Sequence, residues 1–234
     1  DLKEAGKRRR PPQVAATLLE ARDIGLSSAI EDISFSLSAC EILGIGGLVG
    51  SGRTSLLRCL AGLEPLATGA LSISGKEIRM PRSPREALAA GIALVPEDRK
   101  AQGLILGLSA LENIALTSFG RVSRFGMIST RTMRAAAENV VGKFGFSASR
   151  LETTVRDLSG GNQQKILLSK WHYRKPRVLL VDEPTRGIDV GAKEEILTTL
   201  RELADEGLSI IIASSELEEV VAISDRVIVL SKGR

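Results

Sequence analysis

A chain of 234 residues suits one large domain or two small ones and can bury a full hydrophobic core without disulfides or metals. Hydrophobic residues at 43% and charged residues at 26% are typical of soluble globular domains and exclude disorder over most of the length. Aromatic residues at 3% argue against base stacking on nucleic acid, and much of the net charge of +4 comes from Lys3, Lys7, Arg8, Arg9 and Arg10, so no domain-wide basic surface and no nucleic-acid partner is expected.

In chain order, the basic run followed by Pro11 and Pro12 reads as a solvated linker over residues 1–12. Residues 13–20, 31–37 and 41–46 read as strands, the last leading into a glycine-rich loop. A helix is expected from Arg53 to about Ala61, and a short strand over 70–74. Ser83-Pro84-Arg85-Glu86 opens a further helix, with Ser as N-cap, Pro in the first turn and Glu three residues past the cap. Gly91 ends it, and 92–95 forms the next strand.

From about 104 to 173 the pattern is helical, over 131–144 and 160–171, without a convincing central strand. This stretch reads as a helical insertion. Strands resume at 178–181, followed by a helix over 190–206 with Ile196, Leu200 and Leu203 on one face. A strand at 208–213, a helix near 216–222 and a strand at 226–230 complete the series. The alternation predicts an α/β protein with a largely parallel sheet. Apolar stretches such as Ile42–Gly50 and Ile210–Ala213 fall well short of the roughly 20 residues that cross a bilayer. With no secretory signal read at the start, a soluble intracellular chain is expected. Cys40 and Cys59 match no metal spacing and read as buried free thiols.

Three segments carry chemistry. Gly47-Leu48-Val49-Gly50-Ser51-Gly52-Arg53-Thr54 fits the phosphate-binding pattern G-x-x-x-x-G-K-[ST] with Arg53 at the lysine position. Its glycines let successive N–H groups turn toward phosphate oxygens, the following helix aims its positive end at the same anion, and Thr54 would place its hydroxyl on Mg²⁺. By itself the segment also fits an ordinary glycine-rich turn. Val178–Val181 is an apolar strand ending in Asp182 and Glu183. There Asp182 can hold Mg²⁺ through water, and Glu183 can take a proton from, or orient, an attacking water. The bland alternative is a strand ending in solvated acids.

The third segment, Leu158-Ser159-Gly160-Gly161-Asn162-Gln163-Gln164, places a second anion-binding turn at a helix N-terminus. It resembles the L-S-G-G-Q signature of the ATP-binding-cassette (ABC) ATPase family, and Ser159 precedes Asp182 by 23 residues, as that family's arrangement requires. The resemblance spans roughly residues 13–234. It implies a P-loop NTPase fold: an ABC ATPase core with an antiparallel β subdomain and a helical subdomain carrying the signature. The segments Leu158–Lys165, Asp182–Lys193, Val95–Lys100 and Ser214–Leu217 look like the second ATPase domain of bacterial ribose/galactose/xylose-type sugar importers.

That resemblance implies ATP and Mg²⁺ as ligands. It implies nucleotide contacts from Gly47, Gly50, Ser51, Gly52, Arg53, Thr54, Ser55 and Glu97, and from Ser159, Gly160, Gly161, Asn162 and Asp189. Catalytic roles fall to Asp182, Glu183 and Ser215, with Thr54 and Asp182 on the metal. The partners implied are the first ATPase domain of the same protein or a second copy, transmembrane permease subunits, and indirectly a periplasmic sugar-binding protein. The expected location is peripheral, on the cytoplasmic face of the bacterial inner membrane. The basic start then reads as the tail of an inter-domain linker and Arg234 as the end of one half of a tandem protein. The groove that receives a permease helix is expected near Glu97 and residues 104–128.

Four departures from the family pattern stand out. Arg53 replaces lysine, Glu97 stands where a glutamine is usual, Ser215 stands where a histidine contacts the γ-phosphate, and no aromatic lies between Ala21 and Glu31 to stack adenine. They lead to an expectation of unequal sites: this domain's own site binds ATP but turns it over slowly, while its signature completes a faster site on the partner. A non-hydrolysing regulatory domain that only supplies the signature is the alternative. The chain's only histidine, His172, reads as a packing or surface residue.

Overall fold

A computed structural model describes residues 16–27, 29–118, 123–124, 127–128 and 130–234. The linker assigned to residues 1–12 lies outside the described residues, as do parts of 104–128. The chain divides into two compact units, each taken by itself. One comprises residues up to Leu94, Pro176–Glu183 and Leu200–Arg234; the other comprises Val95–Lys175 and Pro184–Thr199.

The first unit holds two sheets. Strands β1 (Thr17–Leu26), β2 (Ile30–Ser38), β4 (Thr68–Ile73) and β5 (Lys76–Ile78) form an antiparallel sheet in the order β2-β1-β4-β5. The first strand begins later and runs further than the 13–20 expected from sequence. Its register shifts between Ala21 and Ile24, with Asp23 at φ 51°. This bulge turns Ile24 into the core one position out of step, hiding the strand's second half from a strict alternation count. β5 was also not expected. It pairs with β4 through a two-residue turn, Ser74-Gly75, whose φ angles of 52° and 74° suit a tight hairpin.

The second sheet has the order β11-β3-β10-β9-β6, from β3 (Ile42–Gly47), β6 (Ile92–Val95), β9 (Val178–Asp182), β10 (Ser209–Ala213) and β11 (Arg226–Leu230). β10 runs parallel to β3 and β9, and β11 parallel to β3, as the sequence alternation predicts. β9 and β10 are buried throughout, which explains their unbroken apolar runs. Helix α1 (Arg53–Leu60) buries Leu56, Leu57, Cys59 and Leu60, and α2 (Pro84–Ala89) starts at Ser83, whose hydroxyl accepts the Glu86 N–H. Leu19, Leu37, Ile45, Leu57, Leu180 and Ile211 share one core. Cys59 is buried, but Cys40 is only partly so: it occupies the turn between β2 and β3 at φ 62°, correcting the expectation of two buried thiols.

Among the described residues the second unit is mainly helical, with a short hairpin of two-residue strands, β7 (Ser123–Arg124) with β8 (Met127–Ile128). Helix α3 (Ala110–Ala115) is fixed by a reciprocal capping box between Ser109 and Glu112. Helices α4 (Thr130–Val141) and α5 (Gly160–Arg174) contribute Met133, Ala137, Val141, Ile166, Leu167 and Leu168 to its buried interior. The His172 ring sits edge-on to Phe144, with centroids 5.8 Å apart, which is a packing role. Helix α6 (Val190–Asp205) passes from this unit into the first, where α7 (Leu217–Ile223) lies against β3 at Gly44. A Cβ on Gly44 would stand 2.4 Å from Val220 Cγ1. Among the described residues no helix is long and apolar enough to cross a membrane.

Candidate active site

Parallel pairing sets the chemistry of the first unit at one edge. Ala213 aligns with both Ile45 and Asp182, so the segments leaving β3, β9 and β10 emerge side by side at the carboxyl ends of the strands. In open α/β sheets this is where ligands bind. β3 gives way to the loop 48–52, with Gly50 at φ 80° and Gly52 at φ 102°. These left-handed conformations suit glycine. Gly52 caps α1 without any side-chain hydrogen bond, so the first-turn N–H groups have no side chain competing with an anion. Ser51 Oγ is buried without a hydrogen-bond partner inside the same loop. Leu48 and Val49 are 85% and 89% exposed at the loop tip.

On α1, Thr54 Oγ1 donates to Asp182 Oδ1 at 3.3 Å, and Ser55 is partly buried beside it. Asp182 is 3% exposed. Burial is the main cause that pushes its carboxyl up to about 6; the Thr54 hydrogen bond opposes this and the neighbouring Glu183 adds to it. Glu183 sits at φ 45°, an unfavourable conformation for a residue with a side chain, and its N–H is tied to Ala213 O at 2.8 Å. Such strain recurs at functional sites.

Arg53 turns inward and is 7% exposed. Its Nη2 meets Glu183 Oε1 at 3.2 Å, and its Nη1 donates to Ser214 O. The other carboxylate oxygen of Glu183 accepts from Ser215 Oγ at 3.0 Å. Ser215, where the resemblance leads one to expect a histidine, therefore touches Glu183 directly. Sequence reasoning assigned no role to Ser214 or Glu219. The Ser214 hydroxyl accepts the Glu216 N–H at 3.1 Å and donates to Glu219 Oε2 at 3.2 Å. Glu219 is 6% exposed; a glutamate on an apolar helix face beside the strand end was the available signal.

The second unit gathers the remaining candidates. Ser159 caps α5, its hydroxyl accepting from Asn162 N at 3.4 Å and Asn162 Nδ2 at 3.0 Å. Asn162 therefore braces the signature serine from within its own turn. A Cβ on Gly160 would lie 2.8 Å from Arg99 Nη2, and one on Gly161 would lie 2.8 Å from Ala192 Cβ, so both glycines stand where the turn is tightly covered. Arg99 donates to Arg186 O at 2.8 Å and Gly187 O at 3.2 Å, and burial pushes its guanidinium down. Glu97 pairs with Arg186. Asp189 caps α6 by accepting the Ala192 N–H at 3.0 Å. Each unit thus carries one glycine-bearing helix N-terminus with its own supporting residues.

Comparison with known proteins places this geometry. The profile of the ABC transporter family matches residues 30–186. Ribose import ATP-binding protein RbsA 1 of Streptomyces avermitilis is 43% identical over 227 residues, covering 97% of this chain and 43% of that protein. RbsA of Bacillus subtilis is 40% identical over 226 residues, 97% of this chain and 46% of that protein. The chain thus spans less than half the length of these relatives. Among solved structures, a nucleotide-free ATP-binding cassette from an ABC transporter superposes with TM-score 0.80 at 20% identity, covering 93% of this chain and 88% of that one. A dimeric post-hydrolysis cassette bound to ADP and Pi gives TM-score 0.77 at 21% identity, covering 92% and 95%.

Proposed function

Since the chain belongs to the ABC transporter family, we propose that it is an ATP-hydrolysing domain of a bacterial monosaccharide importer, acting as one of two paired domains. The observation that carries this reading is a pair of glycine-bearing helix N-termini, at the starts of α1 and α5, each with its supporting residues in its own unit. In a head-to-tail pair, the loop 47–54 with Asp182, Glu183 and Ser215 would serve one nucleotide. Ser159, Gly160, Gly161 and Asn162, with Asp189, would complete the partner's. Residues 13–234 then form one nucleotide-binding domain with a helical subdomain of about 104–173, and residues 1–12 a linker from the first ATPase domain. The ribose-import relatives support a carbohydrate as cargo, with permease subunits near Glu97 and residues 104–128, a periplasmic binding protein supplying them, and a peripheral position on the cytoplasmic face of the inner membrane.

The residues present fit Mg²⁺. Asp182 is a buried carboxylate that accepts one long hydroxyl contact, from Thr54 at 3.3 Å, and the Thr54 hydroxyl adds a second hard oxygen. When bound, Mg²⁺ would neutralise charge developing on the phosphates. The loop N–H groups would orient the phosphates, and Glu183 would position a water for in-line attack and receive its proton.

Arg53 and Ser215 in place of lysine and histidine support slow turnover at this domain's own site, and the engagement of Glu183 by Arg53 keeps the non-hydrolysing regulatory reading as the second choice. Steady-state ATPase of the protein containing this domain and its partner separates the two. Gly160→Asp, which breaks the signature, should lower hydrolysis about a hundredfold, the scale of a lost transition-state donor. Glu183→Gln should remove only a minor share. Equal losses would reject the unequal sites, and full activity after Glu183→Gln would favour the regulatory domain.

A further inference from the structure

We propose that Arg53 is the resting counter-ion of Glu183, so that phosphate binding and release of the catalytic carboxylate are one exchange. The proposal rests on the nucleotide reading above and adds a regulatory contact to that same site.

A guanidinium that is 7% exposed must be paired to be tolerated. Here the pairing is internal. Nη2 meets Glu183 Oε1 at 3.2 Å and Nη1 meets the Ser214 carbonyl. That carbonyl belongs to a residue pinned on both sides, since the Ser214 hydroxyl accepts from Glu216 N and donates to buried Glu219. A planar fork reaches a carboxylate and a carbonyl through two separate nitrogens held in fixed geometry, which arginine supplies and the single nitrogen of lysine does not. The substitution at the lysine position thus has a structural use that charge alone does not supply.

The consequence for Glu183 is chemical. One carboxylate oxygen is held by Arg53 and the other by Ser215 Oγ at 3.0 Å. With both oxygens engaged by side chains, neither is free to meet a water. Arg53 opens α1, whose N-terminus has no side-chain cap and would face the phosphates, so a swing of one side chain would carry its charge from Glu183 to phosphate. In the resting state the carboxylate and the phosphates compete for that charge. Nucleotide affinity is reduced by the fraction of molecules in which Arg53 is already taken.

The test is a titration of this chain with a fluorescent ADP analogue, which removes hydrolysis from the readout, on the wild type, Glu183→Gln, Arg53→Ala and the double variant. Thermal melting verifies folding, and Arg53→Gln is the second choice should alanine leave the buried site unstable. If Arg53 is free about a tenth of the time, Glu183→Gln should tighten ADP roughly tenfold. With Arg53 replaced, the same change should alter affinity by less than about twofold, because nothing remains to be released. Equal tightening in both backgrounds would overturn the proposal, since it would report plain repulsion between Glu183 and the phosphates. No tightening in either would overturn it too. Saturable wild-type binding with either of those results leaves the nucleotide reading standing, whereas folded variants that all fail to bind ADP would reject both.

Discussion

Burial holds the Asp182 carboxyl near 6, against 3.8 for a free aspartate, and this has two consequences of opposite sign. Between those values the folded chain binds more proton than the unfolded one. The stability contributed by this group is therefore fully present below about pH 4 and is lost as pH rises through 6, by on the order of 3 kcal/mol. A metal needs the ionised form, so Mg²⁺-dependent ADP affinity should instead weaken as pH falls below about 6. Asp182→Asn tests both. It should melt closest to wild type at about pH 4.5 and gain on it toward pH 7.5, while losing the Mg²⁺ dependence of binding. A melting difference that stays constant with pH would show that the carboxyl is not held protonated. At this scale the residue types were legible from sequence, because strand, loop and helix spacing fixes where Thr54, Asp182 and Glu183 must emerge. The direction taken by Arg53 was not. A side-chain rotamer that exchanges a phosphate for an internal carboxylate leaves no periodicity, and Ser214 acts through a carbonyl that every residue has.

At the scale of elements, the loop between β3 and α1 combines glycines under different constraints. Gly47 has φ 151°, and a Cβ there would lie 2.6 Å from Leu230 O and 2.5 Å from Ser51 Oγ, whereas a Cβ on Gly50, at φ 80°, would meet nothing within 4 Å. Gly50→Ala should therefore carry only the backbone penalty of a left-handed residue, about 1–2 kcal/mol. Gly47→Ala adds a clash with backbone that cannot rotate away, and should reach about 3 kcal/mol or more. Urea unfolding of the two variants measures the difference, and equal losses would mean that the β3–β11 contact yields easily. The elements that sequence reading misplaced share a cause. The bulge at Ala21–Ile24 breaks the period of two, and the β4–β5 hairpin turns on Ser74-Gly75, too short a signal to separate from a strand end. The order β2-β1-β4-β5 depends on non-local pairing that no single segment encodes, while the uniformly apolar β9 and β10 were readable because both faces are covered.

For the molecule as a whole, the decisive feature is that the candidate residues divide between the two units. The loop, Asp182 and Glu183 lie in one, and the signature turn with Asp189 in the other. Large apolar side chains stand in water beside both: Leu48 and Val49 at the loop, and Val190, 82% exposed, directly after Asp189. Association that brings one chain's loop to another's signature would cover these side chains and share each nucleotide between the two chains. Binding energy of that kind appears only in the paired state, so ATP should shift the equilibrium toward dimers. The geometry of exchange gives a specific expectation. With Glu183→Gln throughout to slow hydrolysis, a chain also carrying Thr54→Ala has a damaged loop but a sound signature, and one carrying Gly160→Asp has the reverse. Each alone should remain monomeric with ATP by sedimentation, since every site it could form contains a damaged half. Mixed, they can form a heterodimer with one site intact, and a dimer should appear at roughly the fraction that random pairing allows. A mixture that stays monomeric while the Glu183→Gln chain dimerises would mean that loop and signature do not meet across two chains.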